Sequence, residues 1–127
     1  MWLDAATKSL EVVLGGAITT NQLPWTVSYG EVATDNSTSA SKGGDGATNS
    51  TTAVTIVAAP GASLVRELRS FSIQNADTVS ATVIVQLNNN ATLRTIIKVT
   101  LATGEMLCYD AGRGWYCLNT SGKTKVA

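Results

Sequence analysis

The feature that most constrains this fold is a period of two in the apolar residues. Between Val79 and Leu87 every odd-numbered residue is apolar and most even-numbered residues are polar. After three asparagines, residues 91–101 alternate in the same way, which places the large apolar residues on one face (Leu93, Ile97, Val99 and Leu101). Successive side chains of a strand point to opposite faces, so each run predicts a half-buried strand. Asparagine tolerates a left-handed backbone, and the two runs are therefore predicted to form a hairpin.

Short runs rich in β-branched residues recur along the chain, and no long stretch shows the 3.6-residue spacing of a helix. They predict further strands at residues 8–14, 25–32, 51–58, 64–75, 106–109 and 115–118. The apolar parity changes within 64–75, which predicts a β-bulge or kink near residues 66–69. We therefore expect one all-β domain over residues 1–127. It would be an antiparallel β-sandwich or jelly roll of about eight strands, with a closed barrel as the alternative.

Two segments do not follow the alternating pattern. Residues 1–7 precede the first predicted strand and are expected to form a short N-terminal arm, which either contacts a partner subunit or folds back onto its own sheet. Residues 33–50 contain no large apolar side chain and are expected to form a long polar loop.

Composition and charge limit the classes of function. The 127 residues include nine Lys and Arg, nine Asp and Glu and no His, so the formal net charge is zero. This balance argues against nucleic acid and an anionic membrane as partners. The lack of His removes Ser-His-Asp and Cys-His catalysis and the commonest transition-metal ligand. The glycine-rich segment Gly43–Gly46 lacks the Gly-Lys-Ser/Thr end of a phosphate loop. We therefore predict a protein that is not an enzyme and that uses no cofactor or metal.

The two cysteines, Cys108 and Cys117, flank a predicted hairpin. A loop from Ala111 to Gly114 would place them opposite each other, whereas a five-residue loop would put them out of register. The N-terminus has no basic region and no long apolar run, so synthesis in a cytoplasm without export by a signal peptide is expected. Free thiols are the favoured state in that reducing compartment.

Four C-terminal segments resemble small β-sandwich structural proteins of tailed bacteriophages. They are Ser72–Asp77, Val83–Asn88, Leu101–Tyr109 and Gly112–Tyr116, and the N-terminal run Leu3–Leu10 is similar to the same group. The resemblance implies a capsid decoration (cement) protein, made in the host bacterial cytoplasm and located on the capsid surface of the virion. Its implied partner is the major capsid protein of the phage head, which it would bind as a homotrimer.

Two other functions stay open at this point. The chain could be another virion component, such as a tail, head–tail connector or fibre-attachment subunit. It could instead be a carbohydrate-binding module that uses Trp25 or Trp115, although lone aromatic residues in strands are more often core or subunit contacts. The predicted subunit or capsid contacts are Met1, Trp2, Leu3, Trp25, Lys42 and Asp45.

Overall fold

The computed structural model describes residues 1–125, and this part of the chain contains ten β-strands and no helix. The strands are β1 (Trp2–Leu3), β2 (Lys8–Leu14), β3 (Pro24–Ala33), β4 (Ser39–Ala47), β5 (Val54–Val57), β6 (Leu64–Gln74), β7 (Ala81–Asn89), β8 (Thr92–Leu101), β9 (Met106–Asp110) and β10 (Gly114–Leu118).

The strands form two antiparallel sheets, which confirms the predicted β-sandwich. The six-stranded sheet has the order β10-β9-β6-β3-β4, and β1 pairs with the first half of β6. The four-stranded sheet has the order β5-β2-β7-β8. Because the sheets are separate, the closed-barrel alternative is wrong.

The core lies between the inner faces of the two sheets. In β2 the alternation predicted from sequence is observed directly, because Leu10, Val12 and Leu14 are buried while the residues between them are partly exposed. The other sheet contributes the larger side chains, including Leu68, Phe71 and Ile73 of β6. The apolar residues that alternate along the strands of both sheets thus pack against each other and form the core between the two layers.

Two β-bulges adjust the faces of long strands. In β6, Ser70 lies opposite Ser28 but Leu68 lies opposite Tyr29, so Arg69 is the extra residue, and the bulge expected near 66–69 is confirmed. In β8 a second register shift makes Ile96 the extra residue. This shift turns Leu93 outward, where it is 54% exposed. The expectation that Leu93 shares a face with Leu101 is therefore wrong, because a bulge reverses the parity of the residues before it.

The hairpin of β7 and β8 is confirmed, but its turn lies later than the three asparagines suggest. Asn89 pairs with Thr92, and the two turn residues, Asn90 and Ala91, have φ angles of 51° and 70°. A two-residue connection with positive φ at both positions matches the twist of the flanking strands.

The predicted N-terminal arm is a part of the sandwich itself. Trp2 and Leu3 form β1 and pair with Glu67 and Arg66 of β6. Leu3 is 1% exposed and belongs to the core of its own chain. The backbone of this segment thus folds back onto its own sheet, whereas the Trp2 side chain remains 53% exposed, so its contact with a partner subunit stays a prediction.

The expectation of a loop over residues 33–50 is wrong for its central part. Residues 39–47 form β4, which pairs with β3 in one uninterrupted register from Val32–Ser39 to Pro24–Ala47. Backbone pairing needs no large side chains, so a polar and glycine-rich composition hides this strand. The glycine at position 46 is required here, since a Cβ atom would come within 2.8 Å of the Trp25 ring.

The two cysteines are free thiols, as favoured. The loop between β9 and β10 has three residues, so Cys108 lies opposite Tyr116 and Cys117 lies opposite Leu107. Neighbouring positions in a ladder point to opposite faces, which separates the two sulfur atoms across the sheet. Burial raises the pKa of both thiols.

Candidate functional site

Part of the outer face of the six-stranded sheet is formed by small hydroxyl side chains of β3 and β6. Along β3 the inward residues Trp25 and Val27 are buried, so Thr26 and Ser28 point outward. The Thr26 hydroxyl lies 2.8 Å from that of Ser72, and the Ser28 hydroxyl accepts a hydrogen bond of 3.1 Å from Ser70. We call Thr26, Ser28, Ser70 and Ser72 the hydroxyl face. It offers paired hydroxyl groups and little charge.

One cation crosses this face. Arg69, the bulge residue of β6, lies over Gly30 of β3 and donates from Nη1 to the Ser41 hydroxyl at 3.0 Å. A Cβ atom on Gly30 would come within 2.5 Å of the guanidinium, so glycine at this position makes the crossing path available. The Arg69 side chain therefore reaches across β3 and places a positive charge of β6 beside β4.

The far side of β4 is an open sheet edge, and all nine of its residues are exposed. Just beyond its two ends, Ala33 N donates to Thr38 O and Thr48 N donates to Leu23 O, both at 3.0 Å. In an antiparallel ladder the bonded positions alternate, so the even-numbered residues of β4 bond to β3. The backbone groups of the odd-numbered residues point away from the sheet. We call this row the β4 edge (Ser39, Ser41, Gly43, Asp45 and Ala47).

The predicted contact residues divide into buried and exposed groups. Leu3 and Trp25 are 1% and 7% exposed, so both are core residues and their prediction as subunit or capsid contacts is wrong. Burial also removes Trp25 as a platform for stacking a sugar. Trp115 is half-buried on the inner side, edge-on to Phe71 and 4.9 Å from the Tyr109 ring centroid.

Four of the predicted contacts remain at the surface, on both sides of one sheet. Trp2 is 53% exposed, Met1 is half-buried, and Lys42 and Asp45 are exposed on β4. Trp2 lies at one end of a cross-strand row that continues through Glu67 and Gly30 to Ser41. Three strand spacings separate the ends of this row, or about 14 Å.

Lys42 is partly occupied by its own chain. Its ammonium lies 3.6 Å from the carboxylate of Glu31, which also accepts a 2.8 Å hydrogen bond from Arg66 Nε. The hydrogen bond from Arg66 is the main cause that lowers the pKa of Glu31, and Lys42 adds to it. Of the two charges on β4, Asp45 has no ion-pair partner within residues 1–125.

The sequence interpretation missed a polar centre at Asp77, which it named as the last residue of the segment Ser72–Asp77. Its carboxylate accepts hydrogen bonds from the backbone N–H groups of Thr19, Thr20, Asn21 and Thr78. These bonds lower its pKa from 3.8 to about 2, the bond from Thr19 contributing most. An open groove of about 280 Å³ lies beside it, lined by residues 14–18, Asp77 and residues 80–82. The four amides occupy the carboxylate, so Asp77 anchors a loop and does not present a free acid to the groove.

Within the described residues, no group of three or more potential ligands is placed to hold a metal ion, and no helix is long and apolar enough to cross a bilayer. Compared with known proteins, the chain matches no family model, no curated protein and no solved structure.

Proposed function

We propose that this chain is a non-enzymatic structural subunit of a phage particle, of the capsid decoration type, which binds the outside of the head and stabilises the shell. The observation that carries the proposal is a small sandwich that presents a face of small hydroxyl groups on the same side of one sheet as the exposed Trp2 side chain. The class of particle comes from the resemblance of the four C-terminal segments and the N-terminal run described above.

Two of the segments that carry the resemblance, Ser72–Asp77 and Leu101–Tyr109, also form hydrogen bonds that hold the loops at one end of the sandwich in place. The side-chain amide of Asn75 donates to the carbonyl oxygens of Leu101 at 2.8 Å and Val79 at 3.0 Å. In the same region Gly104 N donates to Asn75 O, and Ala102 N donates to the Glu105 carboxylate. Asn75 and Glu105 are buried. A body held in this way loses little freedom on binding, which suits a subunit that must fit many equivalent sites.

The proposed partner is the major capsid protein. Charged residues are depleted at the cores of interfaces, and the four residues of the hydroxyl face are uncharged, with Arg69, Asp45 and Asp110 at its margin. Trp2 supplies an exposed aromatic anchor on the same side of the sheet. Because a bound subunit stabilises only the assembled shell, each occupied site would add to shell stability by mass action.

The test is the number of copies in each purified particle. Particles from the strain that encodes the chain would be banded by density, and its abundance measured by mass spectrometry against the major capsid protein. A ratio corresponding to hundreds of copies supports decoration. A few to a few dozen copies would point to the tail, connector or fibre-attachment alternative, and absence from the particles would contradict both.

The binding surface can be tested on heads from which the chain has been removed. Trp2→Ala is expected to lower re-binding of the purified protein, because it removes the proposed anchor. Leu93→Ala is the matched control, since Leu93 is equally exposed, at 54% against 53%, but lies on the other sheet. Equal loss of binding for the two variants would contradict a role for the six-stranded sheet.

A further inference from the structure

We propose that two copies of this chain pair through their β4 edges, antiparallel and with Gly43 opposite Gly43 of the partner subunit, to form one continuous sheet. The pairing is argued from the geometry of the chain alone and does not depend on the proposed function. It gives twofold symmetry, where the resemblance implies a trimer.

The β4 edge is the least protected of the outer sheet edges in residues 1–125, since β1, which also pairs on one side only, has just two residues. Natural edges are blunted by shortness, charge, bulges or cover. The edge at β5 has four residues, and β8 carries the bulge at Ile96 together with Arg94 and Lys98. The edge at β10 is partly covered, because Lys125 N donates to Cys117 O and Leu118 bridges to Thr124. In contrast, β4 has nine residues with neither a bulge nor a proline, and the ammonium of its one cation, Lys42, lies 3.6 Å from the Glu31 carboxylate of its own chain.

Symmetry selects a small number of registers for self-pairing. A twofold axis perpendicular to the sheet places residues of the same parity opposite each other, and Gly43 is the central residue of β4. With the axis at Gly43, all nine residues overlap and the five outward-pointing positions pair with one another. Each such pair exchanges two backbone hydrogen bonds, so the interface contains about ten.

The side chains fit this register without steric or charge conflict. Lys42 lies opposite Gly44 of the partner subunit, and Ala40 lies opposite Gly46 of the partner subunit. An axis at Lys42 would place two ammonium groups together, and one at Asp45 would place two carboxylates together. An axis at Gly44 would shorten the overlap. Small residues opposite large ones and no like charges in contact favour the Gly43 register.

The charges of Arg69 and Asp45 are also complementary across the proposed interface. In the Gly43 register, Ser41 lies opposite Asp45 of the partner subunit, on the outer side of the sheet. Ser41 already accepts a hydrogen bond from Arg69, and neither Arg69 nor Asp45 has an ion-pair partner within residues 1–125. The pairing therefore brings the Arg69 guanidinium to the partner's Asp45 carboxylate, and symmetry forms this contact twice.

The first experiment measures the solution mass of the full chain by size-exclusion chromatography with light scattering. We expect twice the 13.2 kDa chain mass. Asp45→Lys should weaken dimerisation by at least about tenfold, because it places a second cation beside Arg69. Adding Ser41→Asp to that variant should restore the dimer, while Lys98→Asp on the other sheet should leave it unchanged. A monomer at all concentrations, or a trimer insensitive to Asp45→Lys, would overturn the proposal.

A cross-linking experiment tests the register. In a hydrogen-bonded antiparallel pair the Cα atoms are about 5.5 Å apart, which is within the range that a disulfide spans. Gly43→Cys is thus expected to give a dimer linked between the two introduced cysteines under mild oxidation, as mapped by peptide mass. Gly44→Cys is the matched control on the same strand and should not cross-link. A Cβ atom at Gly43 would lie 3.2 Å from Val27 O and one at Gly44 would lie 3.7 Å from Val27 Cγ1, so the unfolding midpoint of each variant is measured first and cross-linking is compared under conditions in which both are folded. No cross-link at 43, or preferential cross-linking at 44, would refute this register.

Discussion

Four backbone amides converge on the carboxylate of Asp77, and three of them belong to the loop of residues 19–21. Those amides have no strand partner to bond, so the carboxylate supplies the acceptors that a sheet would otherwise supply. Asn75 in turn donates to two carbonyl groups and accepts from Asp77 N. Together these two side chains hold one end of the sandwich closed.

The first prediction concerns the acid stability of the protein. The pKa of Asp77 is about 2 in the folded chain against an ordinary 3.8, so its contribution to stability is present above 3.8 and is lost as the pH falls towards 2. Asp77→Asn is expected to be less stable at neutral pH and to show a weaker pH dependence over that interval. Urea unfolding at several pH values measures both. Glu67→Gln is the control, because the Glu67 side chain makes no hydrogen bond or ion pair within the described residues. If the free energy of unfolding of Asp77→Asn depended on pH as strongly as that of the parent, the role of Asp77 as an anchor would be contradicted.

Alanine substitutions at the two residues of β1 are predicted to differ sharply in their effect on the free energy of unfolding. Leu3→Ala should lower the free energy of unfolding by about 2–5 kcal/mol, because it leaves a cavity in the core. Trp2→Ala should change it by no more than about 0.5 kcal/mol, since the Trp2 side chain is 53% exposed. Equilibrium denaturation of both variants tests whether β1 is part of the fold, and equal effects would show that it is not.

At the scale of strands, sequence periodicity predicts the elements whose side chains alternate and misses those that do not. The bounds of β2 follow the prediction, and β6, β7 and β8 differ from it by a few residues. No alternation marks β4, because every side chain is small or solvated, and β1 is only two residues long. The candidate site was predicted only in part for the same reason. Lys42 and Asp45 were singled out, whereas the role of Arg69 depends on a bulge and on Gly30 of another strand.

Two glycines of β4 provide a test of how closely this strand approaches the core. A Cβ atom at Gly46 would lie 2.8 Å from the buried Trp25 ring, while one at Gly44 would lie 3.7 Å from Val27 Cγ1. Gly46→Ala should therefore destabilise the fold by about 1–3 kcal/mol. Gly44→Ala should be neutral or stabilise it by up to about 1 kcal/mol. Tryptophan fluorescence during urea unfolding reports both; similar values for the two variants would argue against the observed register.

The turn between β7 and β8 contains a residue, Ala91, whose substitution is predicted to increase the stability of the fold. Ala91 has a φ angle of 70°, which is costly for a side chain with a Cβ atom. Ala91→Gly should raise the free energy of unfolding by about 1 kcal/mol. Ala102→Gly, in a turn without positive φ at that residue, should lower it by about 0.5–1 kcal/mol. A thermal or urea unfolding comparison decides, and a loss of stability at both positions would contradict the turn geometry.

At the scale of the whole molecule, the fold class was predictable because alternation and turn residues recur along the chain. The order of strands was not, because pairing of β3 with β6 or of β2 with β7 depends on contacts between distant residues. The class of function was predicted only from the resemblance of five short segments, and it stays a proposal. The geometry adds a specific surface, formed by the hydroxyl face and the β4 edge.

Pairing through the β4 edge predicts that thermal stability depends on protein concentration. A dimer that forms only between folded chains shifts the melting midpoint upward as concentration rises. The parent should show this shift, and for Asp45→Lys the same shift should require protein concentrations at least about tenfold higher. Calorimetry over a hundredfold dilution series measures the effect; a midpoint that is constant for the parent would contradict the dimer.

The position of β1 and β2 in the sheets also has a consequence for biosynthesis. Leu3 needs Arg66 of β6 as its ladder partner, and Lys8 needs Asn89 of β7. A ribosome therefore makes the first strands long before their partners exist, and the nascent chain must keep them unpaired meanwhile. Such distant pairing makes folding slow. Until residues 66 and 89 have been synthesised, the unpaired edges of β1 and β2 are open to association with other chains.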